Sequence, residues 1–142
     1  MQKIEEVVLF QIDLTSKVAK QYSQKEFDKL KLGITVEQWV ILKIVSESNN
    51  LSQKELAQKS NRDPASITRA LDLLEKKKLV QRNPTPNNRR IYNIMLTKTG
   101  EQFVQDNIDT IIKHRNLSVK GLSKEELENL SETLAKIRMN MK

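Results

Sequence analysis

The chain has 142 residues, enough for one domain with a real core, and its 37% hydrophobic and 30% charged content fits a helical globular protein rather than a disordered one. It holds no cysteine and a single histidine, His114, which excludes disulfides, thiolate catalysis, thiol redox sensing, Cys-ligated zinc and a His-rich metal centre. The net charge of +7 lies in the middle: residues 52–100 carry eleven Lys/Arg against four Asp/Glu, and each flank carries seven of both signs, a pattern that favours a polyanionic partner over plain solubility.

The opening MQKIEEVVLF is too acidic, and its apolar run too short, for a secretory signal. No apolar stretch approaches the roughly 20 residues needed to span a bilayer, so a cytoplasmic protein without a membrane role is expected. Residues 3–30 read as a helix, with Ile4, Val8 and Ile12 recurring at i+4 and Val18, Ala19 and Tyr22 continuing the stripe. After Gly33, the capping-box pattern Thr35-x-x-Gln38 opens a helix, VEQWVILKIVSES, that is apolar on most sides and belongs at the centre of the core; SESNN ends it. A second box, Ser52-x-x-Glu55, opens the short helix QKELAQKS, and Asn61-Arg62 turns the chain.

Asp63-Pro64 reads as N-cap followed by first helical residue, where proline's missing N–H costs nothing. The helix that follows, 64 to about 77, would bury Ile67, Leu71 and Leu74 and show Ser66, Arg69, Asp72 and Lys76 on its other face. The period then becomes extended. LVQRN reads as a short strand, PTPNN as a turn, and RIYNIML as the returning strand with Tyr92, Ile94 and Leu96 on one face. Thr97 would cap a helix to about 116 carrying Phe103, Val104, Ile108, Ile111 and Ile112. Past Gly121, a third box, Ser123-x-x-Glu126, starts a last helix with Leu127, Leu130, Leu134, Ile137 and Met141 in a 3-4-3-4 stripe.

Helix, tight turn, second helix, hairpin is the order of a winged helix-turn-helix. The expected fold is mainly α with a small two-stranded β-hairpin wing: a DNA-binding lobe over 35–100 and a helical dimerisation region over 1–30 and 101–142. A major groove admits one α-helix, which needs small, polar or basic residues in its first turns and an apolar face behind them. DPASITRALDLL supplies Ala65, Ser66, Thr68 and Arg69 for the groove and Ile67 and Leu71 for the core. Arg89 and Arg90 stand at the hairpin, placed for a minor groove or a phosphate. Lys54, Lys59 and Arg62 are weaker phosphate candidates. The expected partner is double-stranded DNA, with no cofactor and no metal.

Residues 63–100, DPASITRALDLLEKKKLVQRNPTPNNRRIYNIMLTKTG, resemble the core of the MarR (multiple antibiotic resistance regulator) family. Leu74-Glu75-Lys76-Lys77, Leu79-Val80, Arg82, Arg90, Leu96, Thr97 and Gly100 fall at that family's spacing. Two positions depart from it. Lys78 stands where a glycine is usual after the DNA-reading helix; in a left-handed conformation it would cost roughly 1 kcal/mol. Asn88 replaces the wing aspartate, keeping the turn preference but losing the charge, which implies a looser wing.

The resemblance implies a homodimer built from the N- and C-terminal helices. The stripe of Leu127, Leu130, Leu134 and Ile137, together with Ile4 and Val8, independently offers a helix–helix seam, and the uncharged flanks do not repel a twin. A two-fold dimer would take a pseudo-palindromic operator with half-sites about one helical turn apart. The resemblance further implies repression relieved by a small-molecule effector, for which Phe10, Tyr22 and Trp39 are weak pocket candidates beside their plainer reading as core. A winged-helix module without an effector, such as a replication or partition protein, is the alternative. An enzyme is not expected, since the chain has no Gly-rich phosphate loop, nucleophile–base pair or metal-ligand cluster. A purely structural adaptor leaves the charged hairpin unexplained.

Overall fold

Local capping chemistry sets the helix starts. In the computed structural model, which describes residues 2–48 and 50–142, all three expected capping boxes close: Thr35 Oγ1 accepts from the Gln38 N–H, Ser52 Oγ from Glu55 and Ser123 Oγ from Glu126, and each glutamine or glutamate side chain accepts in return from the capping residue's N–H. The helix stop read in SESNN includes Asn49, which lies outside the described residues, as does Met1. The elements in chain order are α1 (Val8–Lys29), α2 (Val36–Ser46), β1 (Leu51–Ser52), α3 (Gln53–Ser60), α4 (Pro64–Lys76), β2 (Val80–Thr85), β3 (Asn88–Leu96), α5 (Lys98–Leu117) and α6 (Lys124–Asn140). The first helix is shorter than the periodicity suggests. A single 3-10 turn at Ile4–Glu6 precedes it, and Val7 between them is extended.

The expected two-stranded hairpin forms, and the structure adds three details to it. The sheet has three antiparallel strands in the order β1-β3-β2, because Leu51 and Ser52 pair with Ile94 and Asn93 on the inner edge of the hairpin. Strand β2 runs through Pro84 to Thr85, beyond the expected LVQRN. Proline is tolerated there because β2 is an edge strand and needs no donor on its outer side. Tyr92 shares the alternation of Ile94 and Leu96, yet it is 41% exposed while Ile94 is fully buried, because the hairpin extends past the core at that point.

Residues 1–110 and 111–142 form two compact units. In the first, α2 is the central helix, with Trp39, Ile41, Leu42 and Val45 buried among Leu51, Leu56, Ile67, Leu71, Leu74 and Ile94. Each such side chain contributes roughly 1.5–3 kcal/mol, so three of them hold α4 down by the face opposite its polar residues. Two close junctions then fix the wing on α4. Lys78 adopts the left-handed conformation (φ 64°). Its N–H donates to the Glu75 carbonyl and the Leu79 N–H to the Leu74 carbonyl, the paired bonds of a Schellman helix end. Thr97 Oγ1 donates to the Lys78 carbonyl (2.6 Å) and accepts from the Gly100 N–H (2.9 Å), capping α5 as expected. Gly100 packs so tightly on Leu79 that a Cβ there would overlap the Leu79 carbonyl. In the second unit, Gly121 turns the chain at positive φ and α6 buries none of its residues.

Candidate nucleic-acid interface

Asn61 makes the turn between α3 and α4 in the left-handed region (φ 52°), which asparagine tolerates better than most residues. Asp63 then caps α4, as its pairing with Pro64 indicated. Its Oδ1 accepts from the Ser66 N–H and its Oδ2 from the Ser66 hydroxyl, both at 2.8 Å. These two bonds, the backbone one first, hold the Asp63 carboxyl below its ordinary range. Arg69 Nη2 donates to Ser66 Oγ at 3.2 Å. Thr68 Oγ1 donates to the Pro64 carbonyl (3.0 Å) and accepts from Gln53 Nε2 (2.8 Å), a link from the start of α3 to the exposed face of α4 that the sequence reading missed.

A cleft of about 1270 Å³ lies between α3–α4 and the hairpin. Four of the expected DNA-binding residues line it: Lys54, Arg62, Thr68 and Arg90. Ala65 and Arg69 lie exposed on the same helix with Ser66 half-buried between them, and none of these three lines the cleft. Arg89 is exposed on the hairpin but outside the cleft. The register explains the position of the two wing arginines. Pro84 pairs with Tyr92 and the next residue, Thr85, with Asn88, so Arg89, Arg90 and Ile91 form a bulge on β3. Bulges re-aim side chains out of the sheet's alternation. The tip is fastened despite the missing aspartate. Thr85 Oγ1 donates to the Asn88 carbonyl (2.7 Å) and accepts from the Asn88 N–H, and Asn88 Oδ1 accepts from the Arg90 N–H (3.0 Å).

The middle segment's positive charge is not all free. Arg82 reaches back from β2 to Asp72 (2.7 Å) and Glu75 (2.9 Å) on α4, a role that its position in the sequence does not announce. Its hydrogen bond to Glu75 holds that carboxyl below its usual value, and the same pair raises Arg82. Arg82 therefore ties the wing to the C-terminal half of α4 on its polar side. Arg62 pairs with Glu37 (3.2 Å), which also pairs with Lys20, and the Glu37 carboxyl is lowered by Lys20 first and Arg62 second. Lys59 Nζ donates to Ser48 Oγ at 3.3 Å. Lys54, Arg89 and Arg90 have no ion pair among the described residues. Partners seven to twenty-five residues apart in sequence leave no local signature, so composition alone could not separate engaged from available cations.

Of the aromatic pocket candidates, Trp39 is a core residue, its ring edge-on to Phe27 and tilted against Phe103, each at 6.3 Å. Phe10 and Tyr22 are half-buried on α1. Ile4 (61%), Val8 (57%) and Leu130 (51%) are exposed; Leu127, Leu134 and Ile137 are half-buried. Among the described residues no group of acidic, His or Cys side chains could hold a metal, and no helix is long and apolar enough to cross a membrane.

The MarR family model matches residues 34–92, the segment that contains α2, α3, α4 and most of the wing. Among solved structures the chain is similar to the S. aureus MepR–DNA complex, at 25% identity over 94% of this chain and 98% of that one, with a TM-score of 0.83. It is similar to the transcriptional regulator SlyA at 27% identity, over 94% and 93% of the two chains, with a TM-score of 0.81. It shares its fold with CouR from Rhodococcus jostii RHA1 bound to p-coumaroyl-CoA, at 21% identity, 96% and 95% coverage and a TM-score of 0.83.

Proposed function

We propose that this chain, whose residues 34–92 match the MarR family model, is a MarR-type regulator: a sequence-specific DNA-binding repressor that works as a homodimer and is released from its operator by a small molecule. The observation that carries the DNA reading is the cleft where α3, α4 and the bulged wing meet, with Lys54 and Arg90, neither in an ion pair among the described residues, on its walls. An α-helix held by three buried side chains, with its N-terminal turns exposed beside a basic hairpin, suits a major groove with an arginine over the flanking backbone or minor groove. MepR of S. aureus, a relative of this fold, forms a complex with DNA.

The dimer reading rests on the apolar side chains that α1 and α6 leave in water, Val8, Leu9, Leu14, Val18 and Leu130 among them. Exposed apolar side chains of this kind on each helix suit an association surface. Effector release rests on the family premise and on CouR, a fold neighbour that binds p-coumaroyl-CoA. The repressor sign rests on family habit alone.

The test is selection of bound sequences from random duplex DNA with purified protein, followed by sedimentation of the complex. The expected result is a pseudo-palindrome with half-sites about one helical turn apart, bound by two chains. A non-palindromic motif bound by one chain would favour a winged-helix module of another kind.

A further inference from the structure

Three polar residues at the start of α4 are wired in series. Asp63 Oδ2 accepts the Ser66 hydroxyl proton at 2.8 Å, and Ser66 Oγ in turn accepts from Arg69 Nη2 at 3.2 Å. A hydroxyl has one proton to give. That of Ser66 is committed to a carboxylate, the stronger, charge-assisted kind of bond. Ser66 is also only half-exposed, whereas Arg69 stands in solvent. Ser66 therefore has no donor left for a base edge. Arg69 has five N–H donors, of which one is engaged, leaving four for an outside partner. A planar fork with spare donors on a groove-facing helix suits the O6 and N7 acceptors of guanine.

We propose that Asp63 and Ser66 form a positioning relay that orients Arg69 for a guanine in each half-site, so that Ser66 governs sequence choice without touching a base. The inference rests on the DNA-binding reading above. The lowered carboxyl of Asp63 agrees with it, because an ionised acceptor keeps the Ser66 hydroxyl pointed inward.

Two readouts test this with the full chain. The first needs no DNA: the NMR order parameter of the Arg69 Nε–H bond in wild type, Ser66→Ala and Ser66→Thr. The relay predicts a restrained side chain in wild type, a mobile one in Ser66→Ala, and restoration in Ser66→Thr, which keeps the hydroxyl. An order parameter unmoved by Ser66→Ala overturns the relay. The second is the base preference of each variant, by competition among single-base changes in the selected duplex. Ser66→Ala should relax preference at the same base pair as Arg69→Ala, by roughly tenfold, and add nothing in the Arg69→Ala background. Relaxation at a different base pair would make Ser66 a direct reader and overturn the proposal, as would unchanged preference. If wild type shows no duplex preference at all, the DNA-binding reading falls, and the order parameter alone still decides whether the relay exists.

Discussion

Lys78 offers a sharp test of the junction between α4 and the wing. It sits at φ 64° with the Lys78 N–H bonded to Glu75 and the Leu79 N–H to Leu74, so the backbone geometry is fixed by hydrogen bonds that any residue type would make. The left-handed conformation costs a residue with a Cβ roughly 1–2 kcal/mol. Glycine removes that cost but gains freedom in the unfolded chain, which takes back about 0.4–1 kcal/mol. The net expectation for Lys78→Gly is stabilisation of about 1 kcal/mol, or about 2–4 °C in Tm for a chain of this size. Lys78→Ala is the control: it removes the same charge and stem yet keeps the Cβ, so its Tm should not rise. Thermal unfolding followed by circular dichroism reads both. An unchanged or lowered Tm in Lys78→Gly, or an equal gain in Lys78→Ala, would mean that the left-handed backbone at this position carries no such cost.

Further outcomes follow from contacts of the same lobe. Gly100→Ala drives a Cβ into the Leu79 carbonyl and should destabilise by roughly 1–3 kcal/mol, read as a lower urea midpoint; a wild-type midpoint would mean the α5 junction is looser than described. Arg82→Ala frees Asp72 and Glu75 and loosens the wing. Because the carboxylates are 58% and 43% exposed, the stability loss should be only about 1 kcal/mol, with a clearer loss in DNA affinity by fluorescence anisotropy. Acid should weaken the fold in a defined window. Glu37 and Glu75 titrate below their ordinary 4.5 in the folded chain, so their contribution is fully present above that value and is lost as pH falls through the lower folded values. The urea midpoint should fall below pH 4.5 less steeply in Glu75→Gln than in wild type, and identical acid slopes would contradict the Arg82 pairing.

Much of this lobe was legible because its signals are local. A capping box needs only residues i and i+3, so Thr35, Ser52 and Ser123 announce their helices without help from the rest of the chain. Asp63-Pro64 and the i, i+4, i+7 spacing of Ile67, Leu71 and Leu74 are equally self-contained. The misses are non-local. Strand β1 is two residues long, too short for any alternation, and exists because β3 runs beside it. Arg82 reads as one more cation until its partners ten and seven residues back are seen. The bulge that displaces Arg89 and Arg90 comes from the unequal steps of β2 and β3, which neither strand encodes alone. Within α4, composition nominates Ser66 and Arg69 as equals; only their hydrogen bonds rank one behind the other.

Whether the basic lobe grips duplex DNA with α4 and an arginine-bearing wing is decided by anisotropy titrations of the selected duplex and a scrambled one across a salt series, with heparin as competitor. Wild type should prefer the selected duplex at every salt concentration, and Arg90→Ala should weaken binding to both duplexes while reducing the log–log salt slope by about one. A wild-type protein that binds both duplexes and heparin alike, with a slope untouched by Arg90→Ala, would contradict such a grip.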